Sequence, residues 1–95
     1  MKPLRQLTGK QAESLGYSPA RVLPSGETAG VMRMLYTTGL FVGITRHFWR
    51  TRFCYETTTD AVAALQTWDG YGDPPGPWIK EKGGVERSNP SVGKP

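Results

Sequence analysis

The segment TTTDAVAALQTWDG, residues 57–70, constrains the fold more than any other part of the chain. Thr57 stands three residues before Asp60, the spacing of a side-chain cap on a helix start, and Gly70 closes the pattern. The spacing predicts a helix over residues 59–68. Ala61, Leu65 and Trp68 fall at i, i+4 and i+7, a stripe that must lie on something apolar. Val62 and Ala64 widen that stripe, and the small alanines allow close approach to a sheet.

The preceding residues offer the sheet. GVMRMLYTT (30–38), GLFVGITRH (39–47) and FWRTRFCYE (48–56) read as three antiparallel strands. The first turn is expected at Thr38-Gly39 and the second near Thr45, Arg46 and His47. Because alternate residues of a strand share a face, the last strand places Trp49, Thr51, Phe53 and Tyr55 together. Phe48, Arg50, Arg52 and Cys54 then lie opposite, so one face is core-like and the other basic. Leu40, Val42 and Ile44 share a face of the middle strand, with Phe41, Gly43 and Thr45 on the other. The first strand, with Met32, Met34 and Tyr36 against Val31, Arg33 and Leu35, is less decisive. Thr8 followed by Gln11 has capping-box spacing and Gly16 stops the pattern, so a short helix is expected over residues 9–15. Pro19, Pro24 and Gly26 make residues 17–27 an irregular connection. The predicted class is α+β: a three-stranded antiparallel sheet, one packed C-terminal helix, a short N-terminal helix and a Pro-rich clasp. The 95 residues suit one domain over 1–82 with its core at about 28–80, and the Gly-rich, weakly apolar 83–95 reads as a flexible tail.

Charge is concentrated in that sheet. Between Thr28 and Tyr55 there is no Asp or Glu, while Arg33, Arg46, Arg50 and Arg52 all fall there. Basic and acidic residues balance elsewhere, so this segment supplies the whole net charge of +4. Arginine's planar fork pairs with phosphate or carboxylate, and Trp49 and Phe48 could add stacking planes. One reading is a nucleic-acid surface made of Arg33, Arg46, Arg50, Arg52 and Trp49. The other is an exposed face kept soluble by arginine and protected from edge pairing.

Other chemistry is poorly provided for. Cys54 and His47 are the single cysteine and histidine, too few for a four-ligand zinc site. No feature of the sequence brings them together as a nucleophile and base, and Cys54 reads as a small strand residue. Asp60 reads as part of a cap, and Asp69 and Asp73 flank glycines in a turn. No P-loop or dinucleotide fingerprint occurs, so no cofactor is expected, and the protein is not expected to be an enzyme. One cysteine allows no internal disulfide. No apolar run is long enough to cross a bilayer and the first 15 residues lack a secretory apolar core, which together suggest a soluble cytoplasmic protein.

DPPGPW, residues 73–78, is a stiff corner because proline restricts both its own φ and the residue before it. It is either a rigid ligand presenting Pro75, Pro77 and Trp78 to a partner, or a clasp returning Trp78 and Ile79 to the core. The expectation is the clasp.

Two resemblances add to this reading. GLFVGITRHFWRTRFCYETTTDAVAALQTWDG, about a third of the chain, resembles the strand-strand-strand-helix order of plant-type AP2 and integrase-arm DNA-binding domains. GVMRMLYTTGLFVGI, WRTRFCYE and above all WDGYGDPPGPWIKEKGG resemble small uncharacterised bacteriophage and prophage proteins, over about residues 20–84. The second resemblance implies an origin and a bacterial cytoplasm rather than a mechanism. The expected function is a small non-enzymatic accessory binding module that takes nucleic acid through the arginine face. The alternative is interaction with, or inhibition of, a host protein through the Trp/Pro corner.

Overall fold

The computed structural model describes residues 7–82. The expected tail over 83–95 lies outside them. In chain order the elements are α1 (Gly9–Ser14), β1 (Ala20–Val22), β2 (Thr28–Arg33), β3 (Thr38–Val42), β4 (Thr51–Tyr55), α2 (Thr58–Thr67) and β5 (Trp78–Lys82). All strands pair antiparallel in the order β1-β2-β3-β4-β5, with α2 packed against β2, β3 and β4, and α1 against β1 and β2. The class is α+β, but the sheet has five strands rather than three. β1 comes from the stretch expected to be irregular, and β5 from the residues after the corner. β1 is three residues between Pro19 and Pro24, too short to show a period, and an edge strand tolerates flanking prolines. β5 owes its existence to pairing with β4, more than twenty positions away in sequence.

Both helices begin as their caps dictate. Thr8 Oγ1 accepts from the Gln11 amide (3.1 Å) while Gln11 Oε1 accepts from the Thr8 amide (2.9 Å), a reciprocal box. Thr57 Oγ1 accepts from the Asp60 amide (3.1 Å) at the start of α2. The other end of α2 is closed by a residue that local pattern could not supply. Arg21 of β1 donates through Nη1 to the carbonyls of Leu65 (2.8 Å) and Gln66 (3.1 Å), placing a cation at the negative end of the helix.

The first turn is not at Thr38-Gly39. Those residues open β3, and the chain reverses at Met34–Thr37, where the Met34 amide donates to the Thr37 carbonyl (2.8 Å). Gly39 serves as a gap in the sheet rather than a bend. A Cβ there would lie 2.6 Å from Cε1 of Phe41, whose ring covers the glycine. The second turn is where expected: the Thr45 amide donates to the Phe48 carbonyl (2.8 Å), and Thr45 Oγ1 accepts from the Phe48 amide (3.2 Å).

Two cores flank the sheet. On the α2 side, Val31, Leu40, Val42, Phe53 and Tyr55 meet Ala61, Leu65, Trp68 and Trp78. On the α1 side, Leu7, Ala12, Phe41 and Ile44 are joined by Tyr17, Met32, Met34 and Trp49. Trp49 is therefore opposite to Phe53 and Tyr55, not beside them. It precedes β4, in the loop, so strand alternation does not reach it.

The Pro-rich segment closes the first core. Trp78 is 1% exposed, its Nε1 donates to the Pro74 carbonyl (3.2 Å), and the buried Tyr55 hydroxyl donates to the Pro75 carbonyl (2.7 Å). Burial, and secondarily the charge of Asp60, raises the Tyr55 pKa well above its ordinary value; burial raises that of Tyr17 as well. The folded state thus keeps protons that the unfolded chain releases above about pH 10, so stability is intact below that pH and falls as it rises further. Tyr55→Phe should cost about 1 kcal/mol at neutral pH through the lost hydrogen bond, and should weaken the alkaline decline. Urea unfolding at pH 7 and at successively higher pH measures both, and a decline as steep as in the parent would contradict this role for Tyr55.

Candidate functional site

The four arginines do not form one surface. Arg33 ends β2 and shares the parity of Ala29 and Val31, which face α2, whereas Arg52 shares that of Cys54 and the Phe41 side. Arg46 lies in the loop between β3 and β4, at the opposite end of the sheet from the β2–β3 hairpin that Arg33 enters. Five strand residues, about 17 Å, separate those ends. Arg50 is engaged with Glu27 through both prongs of its fork, Nε to Oε2 at 2.7 Å and Nη2 to Oε1 at 2.9 Å. Its positive charge is answered within the molecule.

Arg52 has a different environment. Its guanidinium carbon lies 5.5 Å from the Trp49 ring centre and 5.9 Å from that of Phe41. Nη1 points to the Met34 sulfur at 3.7 Å, a weak acceptor, and Nε is shut from solvent with no acceptor. The rings around it are themselves ordered, Tyr17 against Phe41 at 5.3 Å and Phe41 against Trp49 at 5.2 Å, both edge to face. This aromatic row and α1 cover much of the sheet face opposite α2. An open arginine face on that side, as a sheet-in-groove DNA contact requires, is therefore not what the strands present.

Of the corner residues, Pro75 and Pro77 are exposed while Trp78 is in the core. The clasp reading holds for Trp78, whereas Ile79 is half-buried and lines a hollow beside the β2–β3 hairpin rather than joining that core. Cys54 is buried in β4 one position from the hairpin end, and His47 is exposed in the loop beyond the other end of that strand. The fold does not join them. Among the described residues no three His, Cys, Asp or Glu side chains gather as a metal-binding group, and no helix is long and apolar enough to cross a membrane.

One feature absent from the expected sites stands out. Leu35 and Tyr36, at the tip of the β2–β3 hairpin, are 84% and 88% exposed, the two most exposed large apolar residues among those described. The base beneath them is held firmly: Arg33 pairs with Thr38, and Thr38 Oγ1 and Thr58 Oγ1 share a hydrogen bond (2.9 Å) that ties the hairpin to the start of α2. On each side of the tip is a hollow. One includes Arg33, Glu56 and Thr57; the other is lined by Met34, Thr37, Arg52, Cys54 and Ile79. The sequence signal was the Leu-Tyr pair in RMLYTT. Placing the turn three residues too late assigned both to a strand.

Trp78→Ala should cost about 3–5 kcal/mol, because it empties a fully buried site, whereas Arg46→Ala in an exposed loop should stay within about 0.5 kcal/mol. Denaturant midpoints of the two variants check this; equal, small shifts would mean that the corner does not close the core. Comparisons of this chain with protein-family models, with curated proteins and with solved structures found no match.

Proposed function

We propose that this protein is a small, non-catalytic binding module that engages a partner protein through the tip of the β2–β3 hairpin. The observation that carries the reading is the exposure of Leu35 and Tyr36 together on a hairpin whose base is tied to both β3 and α2. Scattered exposed apolar residues are ordinary, but an adjacent pair on a fixed projection, flanked by hollows, has the form of an interface anchor. Tyrosine suits that use, since it brings a large contact area with few rotatable bonds, and a prearranged tip lowers the ordering cost of association. The resemblance of residues 68–84 to phage proteins supports a bacterial cytoplasm as the setting, with a host or phage protein as partner.

Nucleic acid is the weaker reading. Non-specific affinity for a phosphate backbone comes from several cations acting together, whereas Arg33 and Arg46 lie at opposite ends of the sheet and Arg50 is paired with Glu27.

Photo-crosslinking from position 36 in bacterial lysate tests the proposal, with position 71, another exposed tyrosine, as the control. The expected result is a discrete protein product from 36 that is absent from 71, and that falls about tenfold in yield when Leu35→Ser is added to the position-36 probe while the melting temperature is unchanged. Identical products from both positions, or salt-sensitive duplex DNA binding that depends on Arg33 and Arg46 and not on the tip, would defeat it.

A further inference from the structure

We infer that the hollow beside the hairpin tip receives an acidic, otherwise apolar peptide segment of the partner, with Arg52 recognising its carboxylate. This rests on the hairpin reading above and adds the chemistry of what binds there.

Among the described residues that line it, the hollow combines apolar walls with one cation. Met34, Leu35, Tyr36 and Ile79 line it together with Arg52. Among the described side chains the ion pair is Arg50 with Glu27, so no described carboxylate answers Arg52. Its guanidinium is instead steadied by the Trp49 and Phe41 rings and by the Met34 sulfur, and its Nε–H has no acceptor. Rings and sulfur restrain the fork without neutralising it. A guanidinium partly removed from water is stabilised most by an anion offering hydrogen-bond acceptors, and such bonds are stronger where solvent is excluded. The fork is preorganised, so little side-chain freedom is left to lose on binding.

Charge complementarity selects the occupant. The 28–55 segment carries no acid, and Arg33 stands at the base of the same hairpin. Glu56, the nearest acidic position in sequence, lines the other hollow, on the Arg33 side. A nucleic-acid strand would bring a row of phosphates to a site whose described lining is apolar apart from Arg52 and Thr37. A peptide bringing one carboxylate between apolar side chains matches both features.

The test is an NMR titration of the full chain with acetyl-Leu-Glu-Leu-amide and with acetyl-Leu-Gln-Leu-amide. The expected result is perturbation of the amides of Leu35, Tyr36, Arg52, Cys54 and Ile79, with the glutamate peptide at least about tenfold tighter. That preference should shrink as salt rises from about 20 to about 500 mM, and disappear in Arg52→Gln. Should Arg52→Gln not fold, Arg52→Lys, which keeps the charge and loses the fork, should retain a reduced preference. Equal affinity of the two peptides for the parent protein, or perturbation confined to other amides, overturns the inference. So does an oligothymidylate that shifts the same amides at lower concentration than the glutamate peptide. If Leu35→Ser/Tyr36→Ser abolishes binding of both peptides while the parent binds them equally, the hairpin reading stands and the role of Arg52 falls. If that double variant keeps the full preference for glutamate, Arg52 stands and the hairpin tip falls.

Discussion

The Phe53 ring is the contact on which the rest of the architecture hangs. It stands edge to face against Trp78 at 5.0 Å and against Trp68 at 6.0 Å, so one side chain of β4 joins the end of α2 and the start of β5. Those two tryptophans bracket a nine-residue excursion of glycines and prolines that has no regular structure of its own. Their burial gives it fixed ends. Hydrogen bonds then settle the excursion at both ends: Trp68 Nε1 donates to the Tyr71 carbonyl (3.1 Å), and Trp78 Nε1 to that of Pro74 (3.2 Å). Each indole is buried with its polar atom satisfied, which is the condition on which tryptophan enters a core at low cost.

The opposite side of the sheet is organised by a second aromatic row. Gly39 lets the Phe41 ring lie against the strands, and Tyr17 and Trp49 flank that ring. With α1 alongside, this layer converts what strand alternation alone would leave as a basic surface into a second, smaller core. Arg52 is caught at its margin, held by the rings rather than offered freely to solvent. Arg50 is drawn back to Glu27. The positive charge that dominates the middle of the sequence is thereby dispersed over two ends and two faces.

What remains prominent is the hairpin between β2 and β3. Its position follows from the same packing, because the Thr38 and Thr58 hydroxyls anchor its base to the helix while the tip lies beyond both cores. Leu35 and Tyr36 are thus placed outside both cores on a base hydrogen-bonded to the helix. The hollow containing Arg52 lies beside them, so apolar area and a restrained cation adjoin each other. That juxtaposition arises at a junction between layers, not from the basic composition of one strand.

The local devices were legible in the order of residues alone. Thr57 with Asp60 and the Ala61, Leu65, Trp68 stripe specified α2, Thr8 with Gln11 specified α1, and the antiparallel centre with its turn at residues 45–48 was legible from alternation and polar punctuation. The clasp could also be read, since a stiff corner ending in Trp-Ile beside an unfilled core has an evident destination. These signals act over three to ten residues, the range that caps, helical periodicity and turns span. Tertiary structure alone decided the existence of β1 and β5, the side on which Trp49 lies, the use of Arg21 as a helix cap, and the dispersal of the arginines. Each depends on which distant strand pairs with which and in what register, and moving a turn by three residues turns a supposed strand end into an exposed tip. No local pattern encodes that choice; it is made by how the aromatic side chains of remote segments fill the two cores.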